Sequence, residues 1–189
     1  MGFVSRSQKQ LHQWAVWTLV EDHLEDPSGA TFVRTYVDSP GAVGVVVLHV
    51  NSLAELKGAQ LSDVKTTLVC QFRAPFGKEL WEIPAGMRDV DSEPPEVTAH
   101  RELAEEAGLE ASVLVWLGSM ASAPGITNSM VEIFAACGLR EVPINRHGPE
   151  EEHMQVRVVT VAEALEEIRR GEITDAKTII GLQWVRDLL

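Results

Sequence analysis

The sequence predicts an α/β (α+β) domain, a mixed β-sheet carrying helices, and three observations carry that prediction. Val43–Val50 is a nearly continuous apolar run rich in valine, the pattern of a strand buried on both faces. Two stretches carry helix punctuation. Pro95 suits a first helical turn and Gly108 the position past the last one, while Thr160-Val161-Ala162-Glu163 is a capping box closed downstream by Gly171. Runs of strand length and strand composition lie on either side of the first of these helices.

The elements follow in order. Residues 1 to about 29 are mixed and end in a turn-rich stretch, Glu25-Asp26-Pro27-Ser28-Gly29. Thr31–Val37 alternates with period two, and Pro40-Gly41 turns the chain into the run at Val43. Across 51–64, Leu53, Leu56 and Leu61 either line a short helix or decorate a loop. Thr66–Phe72 reads as a buried strand, and a short one near Leu80–Ile83 stops at Pro84. A helix covers Pro95–Ala107, and strands resume at about Ser112–Leu117 and Ser129–Cys137. A polar, acidic loop spans Val142–Glu152, then come a strand at Met154–Val159, the capping-box helix, and a last helix over roughly Asp175–Leu188. There is no internal repeat.

The chain has 189 residues, 45% apolar and 23% charged, which suits one soluble domain with a small extension. No apolar run approaches the roughly 18 residues of a membrane span, and Met1–Gln10 lacks a signal peptide's apolar centre, so no membrane association is expected. Cys70 and Cys137 sit in apolar stretches without metal-ligand spacing and read as reduced core residues of a cytoplasmic protein. Sixteen Lys and Arg against 28 Asp and Glu leave a net charge of −12, which repels polyanions and argues against nucleic-acid binding. A phosphorylated substrate would need local cations, from metal or arginine, to outweigh that field.

The informative stretch is 86–109. On a helix Glu102, Glu105 and Glu106 share one side, while Ala99, Leu103 and Ala107 form an apolar row for packing. Like charges at this spacing each cost a few tenths of a kcal/mol, and they stand in the last turn, where the helix dipole disfavours anions. A hard divalent cation would reverse the sign of these terms, and carboxylate oxygens suit Mg²⁺ or Mn²⁺. The same residues also read as a solvated acidic face. Arg101 and Glu93, a plausible ion pair, and the bracketing Gly86 and Gly108 weigh against that, since a bare helix surface needs none of them.

These residues resemble the signature box of the Nudix hydrolases: Gly86, then Glu93, Arg101-Glu102, Glu105-Glu106, Gly108 and Leu109. Six residues rather than five separate Gly86 from Glu93, a one-residue insertion in the loop before the helix. The resemblance implies a Nudix-type mixed sheet sandwiched between helices, with an N-terminal β extension over 1–38 forming strands in a dimer interface and the hydrolase domain over 39–189. It implies metal held by Glu102, Glu105, Glu106, the main-chain carbonyl of Ala85 and Glu152, with structural roles for Gly86, Glu93, Arg101 and Gly108. Within the family the chain is most similar to the ADP-ribose pyrophosphatase branch, on Gln71-Phe72-Arg73, Trp81-Glu82-Ile83-Pro84-Ala85-Gly86 and Ser122-Ala123-Pro124-Gly125. The implied reaction is Mg²⁺-dependent (or Mn²⁺-dependent) hydrolysis of ADP-ribose to AMP and ribose 5-phosphate. Another nucleoside diphosphate derivative, or nucleotide binding without catalysis, are the alternatives.

The branch places a Glu-x-Glu pair over the metals. Glu150 and Glu152 match it, with Glu150 favoured as base and Glu152 as metal neighbour, and Glu151 also open; Glu105 is taken as catalytic beside them. The loop also reads as solvated acid. Arg73 ends an apolar strand, where a guanidinium can pair with diphosphate oxygens. Glu82 and Pro124 are implied substrate contacts. Arg34 is a candidate to reach a ligand or a partner subunit, and equally a surface arginine. Trp14 and Trp17 read as core residues or, by resemblance, as part of an adenine-stacking interface in a homodimer. His49, inside the apolar run, reads as a core histidine.

Overall fold

In the computed structural model, which describes residues 2–145 and 152–188, the strands in chain order are β1 (Val4–Trp14), β2 (Trp17–Glu25), β3 (Thr31–Asp38), β4 (Ala42–Leu48), β5 (Lys65–Arg73), β6 (Lys78–Glu82), β7 (Ala85–Met87), β8 (Leu109–Ala121), β9 (Met130–Glu141) and β10 (Gln155–Thr160). The helices among the described residues are α1 (Pro95–Ala107), α2 (Val161–Arg170) and α3 (Ala176–Arg186). None of them is long and apolar enough to cross a membrane. The chain divides into two units: residues up to Gly41 with Ala121–Met130, and Ala42–Met120 with Val131–Leu189.

The second unit carries a mixed seven-stranded sheet ordered β10-β5-β4-β9-β8, with β6 on β5 and β7 on β4. β4 runs antiparallel to β5 and parallel to β9. The apolar run becomes β4, and strand alternation splits it between two cores. Val43, Val45 and Val47 face Ala99 and Leu103 of α1, with Phe134 and Ala136 beside them. Val46 and Leu48 face the other way, among Val161 and Ala164 of α2 and Leu182 and Val185 of α3. The sheet is therefore sandwiched between helices, as expected. Burying one such Val or Leu stabilises by about 1.5–3 kcal/mol, which is why a strand facing two cores contains no polar position.

The helix ends follow the sequence signals. Thr160 Oγ1 accepts from the Glu163 N–H at 3.1 Å, and Glu163 Oε2 accepts from the Thr160 N–H at 2.8 Å. Asp175 caps α3 by accepting from the Thr178 N–H at 2.9 Å. Gly108 and Gly171 both end their helices in the left-handed conformation, at φ 66 and 74. The ambiguous stretch 51–64 resolves into a short 3-10 turn, Leu53–Leu56, of which Leu56 is buried. Cys70 and Cys137 are buried and unbridged.

The first unit is a three-stranded antiparallel sheet ordered β1-β2-β3, joined at its edge by the 121–130 segment: the Val37 N–H donates to the Ile126 carbonyl at 2.8 Å. Residues 1–29, mixed by pattern, are thus mostly two long strands. The pattern failed because every residue of β1 is exposed, and period-two alternation appears only where one face is buried. Trp14, 41% exposed, is likewise not core; it tilts against Trp17 at 6.2 Å between ring centroids. His49 is a further correction. β4 ends at Leu48, and His49 is exposed just past it, its ring 2.8 Å from the Thr67 hydroxyl.

Candidate active site

α1 lies across β4 and β7, and its apolar row of Ala99 and Leu103 turns the adjoining carboxylate row inward as well. Glu102 is 7% exposed and Glu106 2% exposed, while Glu105 is half-buried. This is no wet acidic face. Opposite the helix stands β7, three residues long, whose Gly86 pairs with Val43 of β4. A Cβ on Gly86 would lie 2.1 Å from the Glu102 carboxyl carbon. The glycine is thus needed for close approach, so that the carboxylate can lie against the turn's backbone. Glu106 Oε2 accepts from the Ala85 N–H at 2.8 Å, which ties the same turn to the helix one turn further on. Gln71 of β5 reaches the other oxygen of Glu106 at a long 3.5 Å. A cleft of about 420 Å³ opens between these elements.

Arg101 stands among the carboxylates. Its Nη1 donates to Glu102 at 2.7 Å and Glu105 at 3.3 Å, and its Nη2 lies 3.4 Å from both Glu93 and Asp89. Burial pulls the guanidinium's pKa down, and Glu102, Glu105 and Glu93 outweigh that and raise it. The expected Arg101–Glu93 pair is present, shared with three more acids. The loop before the helix closes in a tight turn in which the Glu93 N–H donates to the Val90 carbonyl at 3.1 Å and Ser92 takes a positive φ of 61. Glu93 then accepts from the Thr98 hydroxyl at 2.6 Å, which, with Arg101, holds its carboxyl below the usual range.

The donor set suits a hard cation: three carboxylates on one helical face, and a backbone turn opposite whose Ala85 lines the cleft. Among the described residues no three acidic, His or Cys side chains are already drawn together at ligating distance. A divalent ion held here would have to displace Arg101 from Glu102 and Glu105. The close approach of the Glu102 carboxylate to the turn at Gly86 and the all-oxygen chemistry nevertheless fit Mg²⁺ or Mn²⁺.

Arg73 closes β5 and lines the same cleft. Its fork is engaged by Glu82, Nε to Oε1 at 2.7 Å and Nη2 to Oε2 at 2.6 Å. Lys177 of α3 also bonds Glu82 Oε2. Burial would raise the Glu82 pKa; the Arg73 bonds and the charge of Lys177 reverse this and leave it below the ordinary value. The Ile83 N–H donates to the Thr178 hydroxyl at 2.8 Å, so α3 fastens the strand that leads into the Ala85–Gly86 turn.

Glu102, Glu105, Glu106, Arg101, Arg73, Ala85 and Gly86 therefore meet in one cleft, with Glu82 behind Arg73 and Gly108 ending the helix. Arg34 and Pro124 come together elsewhere, in a cavity of about 580 Å³ in the first unit that Tyr36 also lines. Arg34 lies over the Phe32 ring, 4.8 Å from its centroid. Glu152 is exposed. Glu150 and Glu151 lie outside the described residues. Sequence reasoning missed Lys177, Asp175 and Thr178. Only the Asp175-x-x-Thr178 cap left a trace in the sequence, and nothing there links it to Glu82.

A family model described as the NUDIX domain matches residues 58–180. An ADP-ribose pyrophosphatase of Mycobacterium tuberculosis is 36% identical over 180 residues, covering 95% of this chain and 81% of that protein. An ADP-ribose pyrophosphatase of Bacillus subtilis is 32% identical over 180 residues, covering 95% of this chain and 90% of that one. Among solved structures, one described as an ADP compounds hydrolase superposes with a TM-score of 0.78 at 18% identity, covering 99% of this chain and 94% of that one, a likeness of fold.

Proposed function

The chain belongs to the Nudix family, and on that premise we propose that it is a Nudix pyrophosphohydrolase that cleaves ADP-ribose with water to AMP and ribose 5-phosphate. The observation that carries this reading is the convergence of Glu102, Glu105 and Glu106 on the Ala85–Gly86 turn, with Arg73 in the same cleft. Glu102, Glu105, Glu106 and the Ala85 carbonyl are the proposed metal ligands, with Glu152 as a neighbour and Mg²⁺ as the first choice of ion. Bound there, the metal would neutralise diphosphate charge and lower the pKa of a bound water toward neutrality.

The chain's own part is to hold and orient. Glu106, accepting from the Ala85 N–H, holds its carboxylate against the turn. Arg73 lines the cleft and would pair with diphosphate oxygens through its guanidinium. The proton leaving the attacking water passes to a carboxylate, Glu150 by preference or Glu152, with Glu105 assisting. Arg34 and Pro124 are proposed substrate contacts, and Glu82, buried behind Arg73, is proposed to serve the substrate through that arginine. A homodimer is proposed through the 1–38 extension, whose β1 is exposed throughout and ends at the half-exposed Trp14. The unbridged, buried cysteines support a reducing, cytoplasmic setting.

The test is a panel of nucleoside diphosphate derivatives incubated with the protein and Mg²⁺, read by AMP release. ADP-ribose is expected to be turned over fastest. No release from ADP-ribose beside rapid cleavage of a nucleotide sugar would reject the substrate.

A further inference from the structure

Glu82 ends β6 with its side chain 3% exposed, and two cations from distant parts of the chain converge on it. Arg73 grips both of its oxygens. Lys177, 13% exposed on the first turn of α3, bonds the same Oε2 and lies 3.1 Å from Asp175 Oδ1. One buried carboxylate thus has two cations where one would neutralise it, and Asp175 balances the second.

A lone buried ion pair resists separation, because the partner left behind is an uncompensated charge in low dielectric. Arg73 is the more exposed of the two cations, its side chain 36% exposed at the cleft against 13% for Lys177. Glu82 holds the Nε–Nη2 edge of the fork, and presenting that edge to a diphosphate requires Arg73 to release Glu82. Lys177 removes that obstacle, since Glu82 stays paired when Arg73 leaves. The lysine is firmly mounted: the N–H and hydroxyl of Thr178 fix the other Asp175 oxygen at 2.9 and 2.6 Å, and the Thr178 hydroxyl accepts from the Ile83 N–H.

We propose that Lys177 is a positioning residue, the replacement counter-ion of Glu82 that frees the Arg73 guanidinium to bind the substrate's diphosphate. This rests on the Nudix reading above. A lysine that merely pins α3 to β6 would behave differently, because its removal would act independently of Arg73.

The experiment measures kcat and KM for ADP-ribose with Mg²⁺, and the Kd of the non-hydrolysable α,β-methylene analogue by calorimetry. The proteins are wild type, Lys177→Met, Lys177→Arg, Arg73→Ala and the double variant Lys177→Met with Arg73→Ala. Lys177→Met is expected to raise KM and Kd about tenfold with a smaller change in kcat, and Lys177→Arg to restore most of the loss. In the Arg73→Ala background Lys177→Met should add almost nothing. Melting temperatures check folding, and Lys177→Gln replaces any Met variant that does not fold. KM and Kd within about twofold of wild type in Lys177→Met, or an undiminished effect in the Arg73→Ala background, overturns the proposal. A wild type that binds the analogue but releases no AMP counts against the function reading alone, and the Kd series still decides Lys177. A wild type that neither cleaves nor binds overturns both.

Discussion

α1 and α2 are both short, glutamate-rich helices, and they spend their acids in opposite ways. On α2 the carboxylates have separate duties: Glu163 closes the capping box, Glu166 pairs with Arg169 and Arg170, and Glu167 pairs with Arg157. On α1, Glu102 and Glu105 share Arg101 with Glu93 and Asp89, and Glu102 and Glu106 are buried against a glycine turn. The same residue type is therefore charge-balanced in one place and concentrated, inward-facing negative charge in the other. What separates the two is the ratio of arginines to acids and the presence of a backbone turn opposite.

The sharpest way to break that contrast is to neutralise one acid on each helix. Glu106→Gln is expected to lower kcat by about 10³-fold, on the order of 4 kcal/mol of transition-state stabilisation, while Glu166→Gln leaves kcat for ADP-ribose within about twofold. Equal effects from the two would end the distinction. Next in size is the packing that turns α1 inward. Leu103→Ala removes a fully buried side chain and is expected to cost about 2–5 kcal/mol in denaturant unfolding.

Two glycines sharpen the comparison further. Gly86→Ala places a methyl on the Glu102 carboxylate; it is expected to cut kcat/KM by about tenfold or more and to shift the melting temperature little. Gly171→Ala, at φ +74 with open space around it, should do the reverse, costing about 1–2 kcal/mol of stability with activity intact. The smallest effect is a pH dependence. The folded Glu82 carboxyl titrates below its ordinary value, so the unfolded chain takes up that proton first as pH falls. Its stabilisation is present above the ordinary carboxylate range and lost as pH drops through the folded value. The melting-temperature advantage of wild type over Glu82→Gln should therefore shrink from neutrality toward about pH 3. An advantage that grew on acidification would contradict the Arg73–Glu82–Lys177 arrangement.

Much of this was legible in the residues. α1 runs over the expected Pro95–Ala107, and the capping box at Thr160 formed as written, because helix periodicity and caps are local properties that neighbours only a turn apart dictate. β1 was not legible as a strand, since its exposed faces carry no alternation. β7 was missed because three residues, Ala85–Met87, are too few to show a period.

By itself, then, the sequence determined which side chains share a helical face, where that helix starts and stops, and that the chain is net acidic, all consequences of short-range geometry and composition. Only the tertiary structure decided that the carboxylate face turns inward onto Gly86, and that Lys177 meets Glu82 across 95 positions of chain. The reason is that burial and ion pairing are set by what stands opposite in space, and packing on both faces of β4 chooses that.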